Sequence, residues 1–120
     1  MVIKDEYDVQ DILEAILRIF FDDVRREDNN PSHAGRNTRA DFSLPDYDIF
    51  IETKMTRPSL KDKEIGDELL QDIGRYRDYC KKLVCFIYDK NSYLANPHGI
   101  IKDLETHSTD EMQVKVYIAP

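Results

Sequence analysis

The chain has 120 residues, 41% of them hydrophobic and 34% charged, with a net charge of −7. That is the composition of a folded domain rather than a disordered segment, and the length suits one domain, residues 1–120, in layers around a single sheet. The acidic balance excludes nucleic-acid binding by bulk charge alone, and no apolar run nears the length of a membrane-spanning helix.

The charge is uneven along the chain. Residues 1–23 carry a net −5, residues 24–63 a net +1 and residues 64–120 a net −3. The amino terminus, MVIKDEYDVQ, is charged from its fourth residue and lacks the apolar core of a secretory signal. A cytoplasmic location is expected, with no membrane contact. Cys80 and Cys85 match neither a zinc ligand pair nor a CxxC redox pair. Cys85 reads as a small buried side chain, and a disulfide is not expected in a reducing compartment.

Taken in order, Asp5 to Phe21 predicts an amphipathic helix. Val9, Ile12, Leu13, Ile16, Leu17 and Phe20 recur at helical spacing, and Asp5, Glu6 and Asp8 suit its amino-terminal end. Asp22 to Thr38, with NNPSHAGRN inside it, predicts a loop. Arg39 to Leu44 predicts a first strand, Pro45-Asp46 a turn, and Tyr47 to Met55 a second strand paired with it as a hairpin. Leu60 to Cys80 predicts a long helix with Ile65, Leu69, Ile73 and Tyr76 as its apolar stripe. LVCFIY, residues 83–88, reads as a central strand buried on both faces. After a loop come a short helix, Ile100 to Thr106, and a last strand, Val114 to Ile118. The order αββαβαβ predicts an α/β fold, a mixed central sheet flanked by helices. A chain end at Ala119-Pro120, directly after a strand, is what a domain excised from a longer protein would show.

The chemistry concentrates on the second strand. Strand side chains alternate, so Glu52 and Lys54 share a face with Phe50, while Ile49, Ile51, Thr53 and Met55 point the other way. The plain alternative is an exposed ion pair, which contributes only ~0–1 kcal/mol; the apolar neighbours argue against it. Asp41 lies on the preceding strand, and the hairpin brings it toward Glu52. Two close carboxylates resist joint ionisation unless a cation joins them. Mg²⁺ takes one or two carboxylates plus water and phosphate oxygens. Asp41 and Glu52 are therefore candidate metal ligands, with the Thr53 backbone carbonyl beside them. Lys54 is placed to assist a water nucleophile or to stabilise charge on a phosphate.

The pattern D-x10-E-x-K, Asp41 to Lys54, resembles the PD-(D/E)XK nuclease superfamily, in its restriction-endonuclease-like branch found in bacterial defence proteins. The likeness runs along most of the chain: Glu6 with Gln10, FDDVRRE ending at Glu27, AG-x-x-x-R-x-DF at 34–42, IETK at 51–54, EL-x-x-DI-x-x-Y at 68–76, CF-x-YD at 85–89 and NP-x-G at 96–99. Ala40 stands where the named motif has proline. The resemblance implies a restriction-endonuclease-like core and Mg²⁺- or Mn²⁺-dependent hydrolysis of phosphodiester bonds of nucleic acid, in defence or restriction; DNA is the expected substrate, and the sequence leaves RNA open. It assigns metal binding to Asp41 and Glu52 and the catalytic lysine to Lys54. Glu6 is its candidate for a further metal-site acid, with Gln10 and Glu27 in supporting roles. Glu14 points further from the helix stripe.

Arg36, Arg39 and Arg57 are candidate nucleic-acid contacts, with Arg25, Arg26 and Lys61 as further members of a phosphate track. Arg39 either touches phosphate or pairs with Asp41. Gln71 and Asp72 lie on the long helix, where they either point into the cleft or sit on a solvated face; the solvated face is expected. His33, His98 and His107 share no ligand spacing and are expected at the surface. Net acidity implies that DNA affinity draws on a homodimer surface or an additional DNA-binding domain. The competing reading is a nuclease-fold binding or regulatory module without catalysis.

Overall fold

The computed structural model describes residues 2–27 and 40–120. Helix α1 spans Glu6–Phe20, and strand β1 is the short pair Arg25–Arg26. Strand β2 (Phe42–Leu44) leads through a 3-10 turn, Pro45–Tyr47, into β3 (Ile49–Met55). Helix α2 (Asp62–Tyr76), β4 (Lys82–Tyr88), α3 (Pro97–Glu105) and β5 (Gln113–Ala119) follow. The five strands form one sheet in the order β1-β2-β3-β4-β5. The first two pairings are antiparallel; β3 with β4 and β4 with β5 are parallel. This is the expected mixed sheet with flanking helices, and it is compatible with a restriction-endonuclease-like fold.

Local chemistry explains the boundaries. Asp5 caps α1 by accepting from the Asp8 N–H at 3.0 Å. The turn into β3 ends on Asp48 at φ 56°, a left-handed conformation that Asp tolerates better than most residues. Pro97 opens α3, where its missing N–H costs nothing, and Asn96 caps it by accepting from Gly99 at 3.0 Å. That cap starts the helix three residues earlier than the expected Ile100.

The two faces of the sheet are covered unequally. Helices α2 and α3 pack Ile65, Leu69, Ile73, Ile100 and Leu104 onto Leu83, Cys85, Ile87, Val114 and Val116. On the opposite face α1 lays Leu17 and Leu13 against Phe42, Leu44 and Ile51. Cys80 and Cys85 are both buried and unbridged.

Three expectations need correction. Arg25–Arg26 is a strand rather than loop, because it pairs with Phe42 and Ser43 and extends the sheet. Strand β4 is not buried on both faces: Leu83, Cys85 and Ile87 are buried, but Val84, Phe86 and Tyr88 are only half-buried, since α1 packs chiefly over β3, with Val84 at the edge of that cluster. For the same reason Ile16 and Phe20 of the α1 stripe are exposed, and contact runs through Val9, Gln10, Leu13 and Leu17. No helix of the described residues is long and apolar enough to cross a membrane.

Candidate active site

The hairpin register explains why residues eleven apart meet. Phe42 pairs with Ile51, so the next position outward sets Asp41 opposite Glu52. The Asp41 backbone N–H donates to Glu52 Oε1 at 3.0 Å. The Asp41 side chain reaches across to the next residue of β3: its Oδ2 accepts from the Thr53 N–H at 2.8 Å and from Thr53 Oγ1 at 2.7 Å.

Alternation along β3 then divides the site. Thr53 points toward α1, where its hydroxyl accepts from Gln10 Nε2 at 3.1 Å. Gln10 Oε1 in turn accepts from Arg26 at 3.4 Å, and Arg26 is held by Asp11 at 2.7 Å and Glu14 at 3.0 Å. A relay of donors thus runs from Arg26 through Gln10 and Thr53 to the Asp41 carboxylate, and each link fixes the next.

Glu52 and Lys54 point the other way, toward α2. Glu52 is 7% exposed, and its Oε1 also accepts from the Tyr76 hydroxyl at 3.2 Å. Burial pushes the Glu52 carboxyl up to about 8, and the charges of Asp41 and Asp72 push in the same direction. Lys54 Nζ lies 3.0 Å from Glu68 Oε1 and 3.6 Å from Asp72 Oδ2. Burial draws the Lys54 ammonium down, but Asp72 and Glu68 together outweigh it and leave it above its usual range.

Glu6 stands at the rim. Its Oε1 accepts from the Met55 N–H at 3.3 Å, and its carboxyl is raised, first by burial and also by the Asp41 charge. Among the described residues no three His, Cys, Asp or Glu side chains form a ready-made metal cage. The arrangement instead offers two carboxylates, each with one oxygen, Asp41 Oδ1 and Glu52 Oε2, that accepts no hydrogen bond from a described residue. Two acids with open oxygens fit an oxygen-seeking divalent ion that fills the rest of its shell with carbonyl and water.

The other expected residues scatter. Arg57 is exposed just beyond β3, bonded to Ser59, and lines a shallow pocket with Lys4, Glu6 and Thr56. The Glu27 N–H donates to the Asp41 carbonyl at 2.8 Å, so Glu27 braces the Asp41 backbone. Arg36, Arg39 and His33 lie outside the described residues. Arg26 is committed to the α1 acids rather than to a phosphate track. Asp72 overturns its expected place on a solvated helix face: it is 5% exposed and turned into the site. Its position could have been read from the sequence, since it falls seven after Ile65, three after Leu69 and four before Tyr76, inside the apolar stripe. Glu68 and Tyr76, one turn to each side, were also missed as site residues.

The family model described as REase_DpnII-MboI, a restriction endonuclease family, matches residues 1–120, the whole chain. The chain belongs to the DpnII-MboI restriction endonuclease family. No curated protein and no solved structure matches it. Membership of the DpnII-MboI family agrees with the restriction-endonuclease-like PD-(D/E)XK resemblance of the chain. It implies a DNA-cleaving hydrolase, and restriction endonucleases generally use divalent metal ions.

Proposed function

We propose that the domain hydrolyses phosphodiester bonds of DNA with Mg²⁺ or Mn²⁺ held by Asp41, Glu52 and the Thr53 carbonyl. One observation carries this reading: a buried glutamate, already burdened by the charge of the aspartate just before the neighbouring strand, shares its face with a lysine two residues on. Such a set is unfavourable by itself and becomes favourable once a cation enters. The backbone geometry agrees. Within a strand the N–H and C=O of one residue point to the same side, and the Thr53 N–H points to Asp41.

When bound, the ion supplies Lewis-acid stabilisation of the phosphate oxygens and a more acidic water. The chain does the rest. Thr53 and Gln10 hold the Asp41 carboxylate in one orientation. Tyr76 and the Asp41 N–H hold Glu52. Lys54 presents an ammonium to the water nucleophile or to the charge growing on the scissile phosphate. Glu6 supports the second side of the site, and Arg57 is placed to meet a neighbouring phosphate. With a net charge of −7, affinity for DNA draws on a second copy of the chain or a further domain.

The test is cleavage of plasmid and of single-stranded DNA with Mg²⁺, with Mn²⁺ and with EDTA. Metal-dependent cutting that disappears in Glu52→Ala and in Lys54→Ala is the expected result. Cutting that survives both substitutions refutes the assignment. Absence of Mn²⁺ binding at millimolar metal favours the non-catalytic module instead.

A further inference from the structure

Helix α2 meets the active strand with a single row of side chains. Glu68, Asp72 and Tyr76 are four residues apart and so share a face. Tyr76 reaches Glu52, while Glu68 and Asp72 reach Lys54. The two acids differ in kind. Glu68 is 44% exposed at its side chain and accepts a hydrogen bond from the ammonium; Asp72 is 7% exposed at its side chain, and its buried Oδ2 accepts no hydrogen bond from a described residue. The other oxygen of Asp72 lies 3.3 Å from Arg75, itself 40% exposed.

Burying a carboxylate with one oxygen unsatisfied opposes folding, and an apolar side chain of similar volume would serve the helix stripe better. What Asp72 provides in exchange is a fixed negative charge 3.6 Å from the Lys54 ammonium. Lysine carries a flexible four-carbon stem and three rotatable donors, so its charge needs an external reference if it is to be aimed. Glu68 is a poor reference, because an exposed side chain exchanges readily with solvent and with any incoming anion. Asp72 cannot exchange in this way.

We propose that Asp72 is a positioning residue that anchors the Lys54 ammonium beside the Asp41–Glu52 pair, with Glu68 as the exchangeable partner that a substrate phosphate displaces. Its consequence for cleavage rests on the nuclease reading above, in which Lys54 faces the scissile phosphate. The anchoring itself does not, and it can be measured separately.

The experiment compares wild type, Asp72→Asn, Glu68→Gln, Lys54→Met and the Lys54→Met/Asp72→Asn double variant. The first readout is the nitrogen-15 and proton NMR signal of the Lys54 ammonium, which a held ammonium shows and a tumbling one loses to exchange. It should persist in Glu68→Gln and vanish in Asp72→Asn. The second readout is thermal melting. Asp72→Asn should lower the midpoint on the wild-type background and raise it on the Lys54→Met background, where Asp72 has lost its main partner. The third is cleavage: kcat should fall on the order of 100-fold in Asp72→Asn, as expected for a misplaced reacting group. KM should stay within a few-fold, and Mn²⁺ affinity by calorimetry should fall by less than the roughly tenfold expected on losing a residue that supports a ligand.

An ammonium signal that survives Asp72→Asn but not Glu68→Gln overturns the proposal, as does equal destabilisation by Asp72→Asn on both backgrounds. If wild type cuts DNA and Asp72→Asn matches its kcat, positioning fails while the nuclease reading stands. If wild type does not cut under any metal condition, the nuclease reading fails, and the signal and melting arms still decide the anchoring.

Discussion

The two faces of β3 hold the same site by different physics. On the α1 face the supports are neutral: Asp41 is oriented by the Thr53 N–H and hydroxyl, and Thr53 by Gln10. On the α2 face they are ionic and buried: Glu52 and Lys54 meet Glu68, Asp72 and Tyr76. Neutral donors stabilise an ionised carboxylate at little desolvation cost. A buried cluster of charges raises the Glu52 carboxyl to about 8, so a proton and a cation compete for it. On the nuclease reading proposed above, the contrast divides the labour: hydrogen bonds orient Asp41, and crowded charge makes Glu52 the acid that gains most from a cation.

The largest expected effects are those that remove either half. Asp41→Asn and Glu52→Gln should each cut the cleavage rate on the order of 1,000-fold, by losing the charge that a divalent ion and the transition state rely on. Rates from DNA cleavage at saturating Mg²⁺ measure this, and a loss confined to one of the two would show that the halves are not equivalent.

Next in size is the neutral relay. Thr53→Val keeps the shape and the backbone N–H but removes the hydroxyl between Gln10 and Asp41. Mn²⁺ affinity should fall about 10- to 100-fold, the usual cost of losing a residue that orients a ligand. Calorimetry checks it.

The ionic half predicts a pH dependence. The Glu52 carboxyl is raised from an ordinary 4.5 to about 8 in the folded chain. Between those values the folded state binds a proton that the unfolded state does not, so this contribution is complete below 4.5 and is lost as pH rises toward 8. Melting of the metal-free protein should therefore fall across that window, and Glu52→Gln should flatten the fall. Mn²⁺ affinity should rise over the same range, because the ion must displace the proton. A melting curve independent of pH in both proteins would show that Glu52 is ionised without metal.

The smallest effect concerns Tyr76. Removing its hydroxyl in Tyr76→Phe takes one of two hydrogen bonds from Glu52 Oε1 and should cost about 0.5–1.5 kcal/mol in urea unfolding. A larger loss would mean that Tyr76 carries more of the Glu52 geometry than the Asp41 N–H does.

The central pattern could be read directly from the amino acids. Helical spacing located α1 and α2, strand alternation put Glu52 and Lys54 on one face and Thr53 on the other, and the short turn at Pro45 required the hairpin that brings Asp41 to Glu52. These are local matters, settled by side-chain period and turn chemistry within about fifteen residues.

What only the tertiary structure decided is which helix meets which face, and how completely. Asp72 lies eighteen residues beyond Lys54; its place inside the α2 stripe is a local matter, but that it meets Lys54 comes from the docking of α2 beside β3. The exposure of Ile16 and Phe20 follows in the same way from α1 packing chiefly over β3, and β1 is a strand only because β2 lies alongside. Periodicity dictates direction within an element, whereas burial and partnership come from the element packed against it.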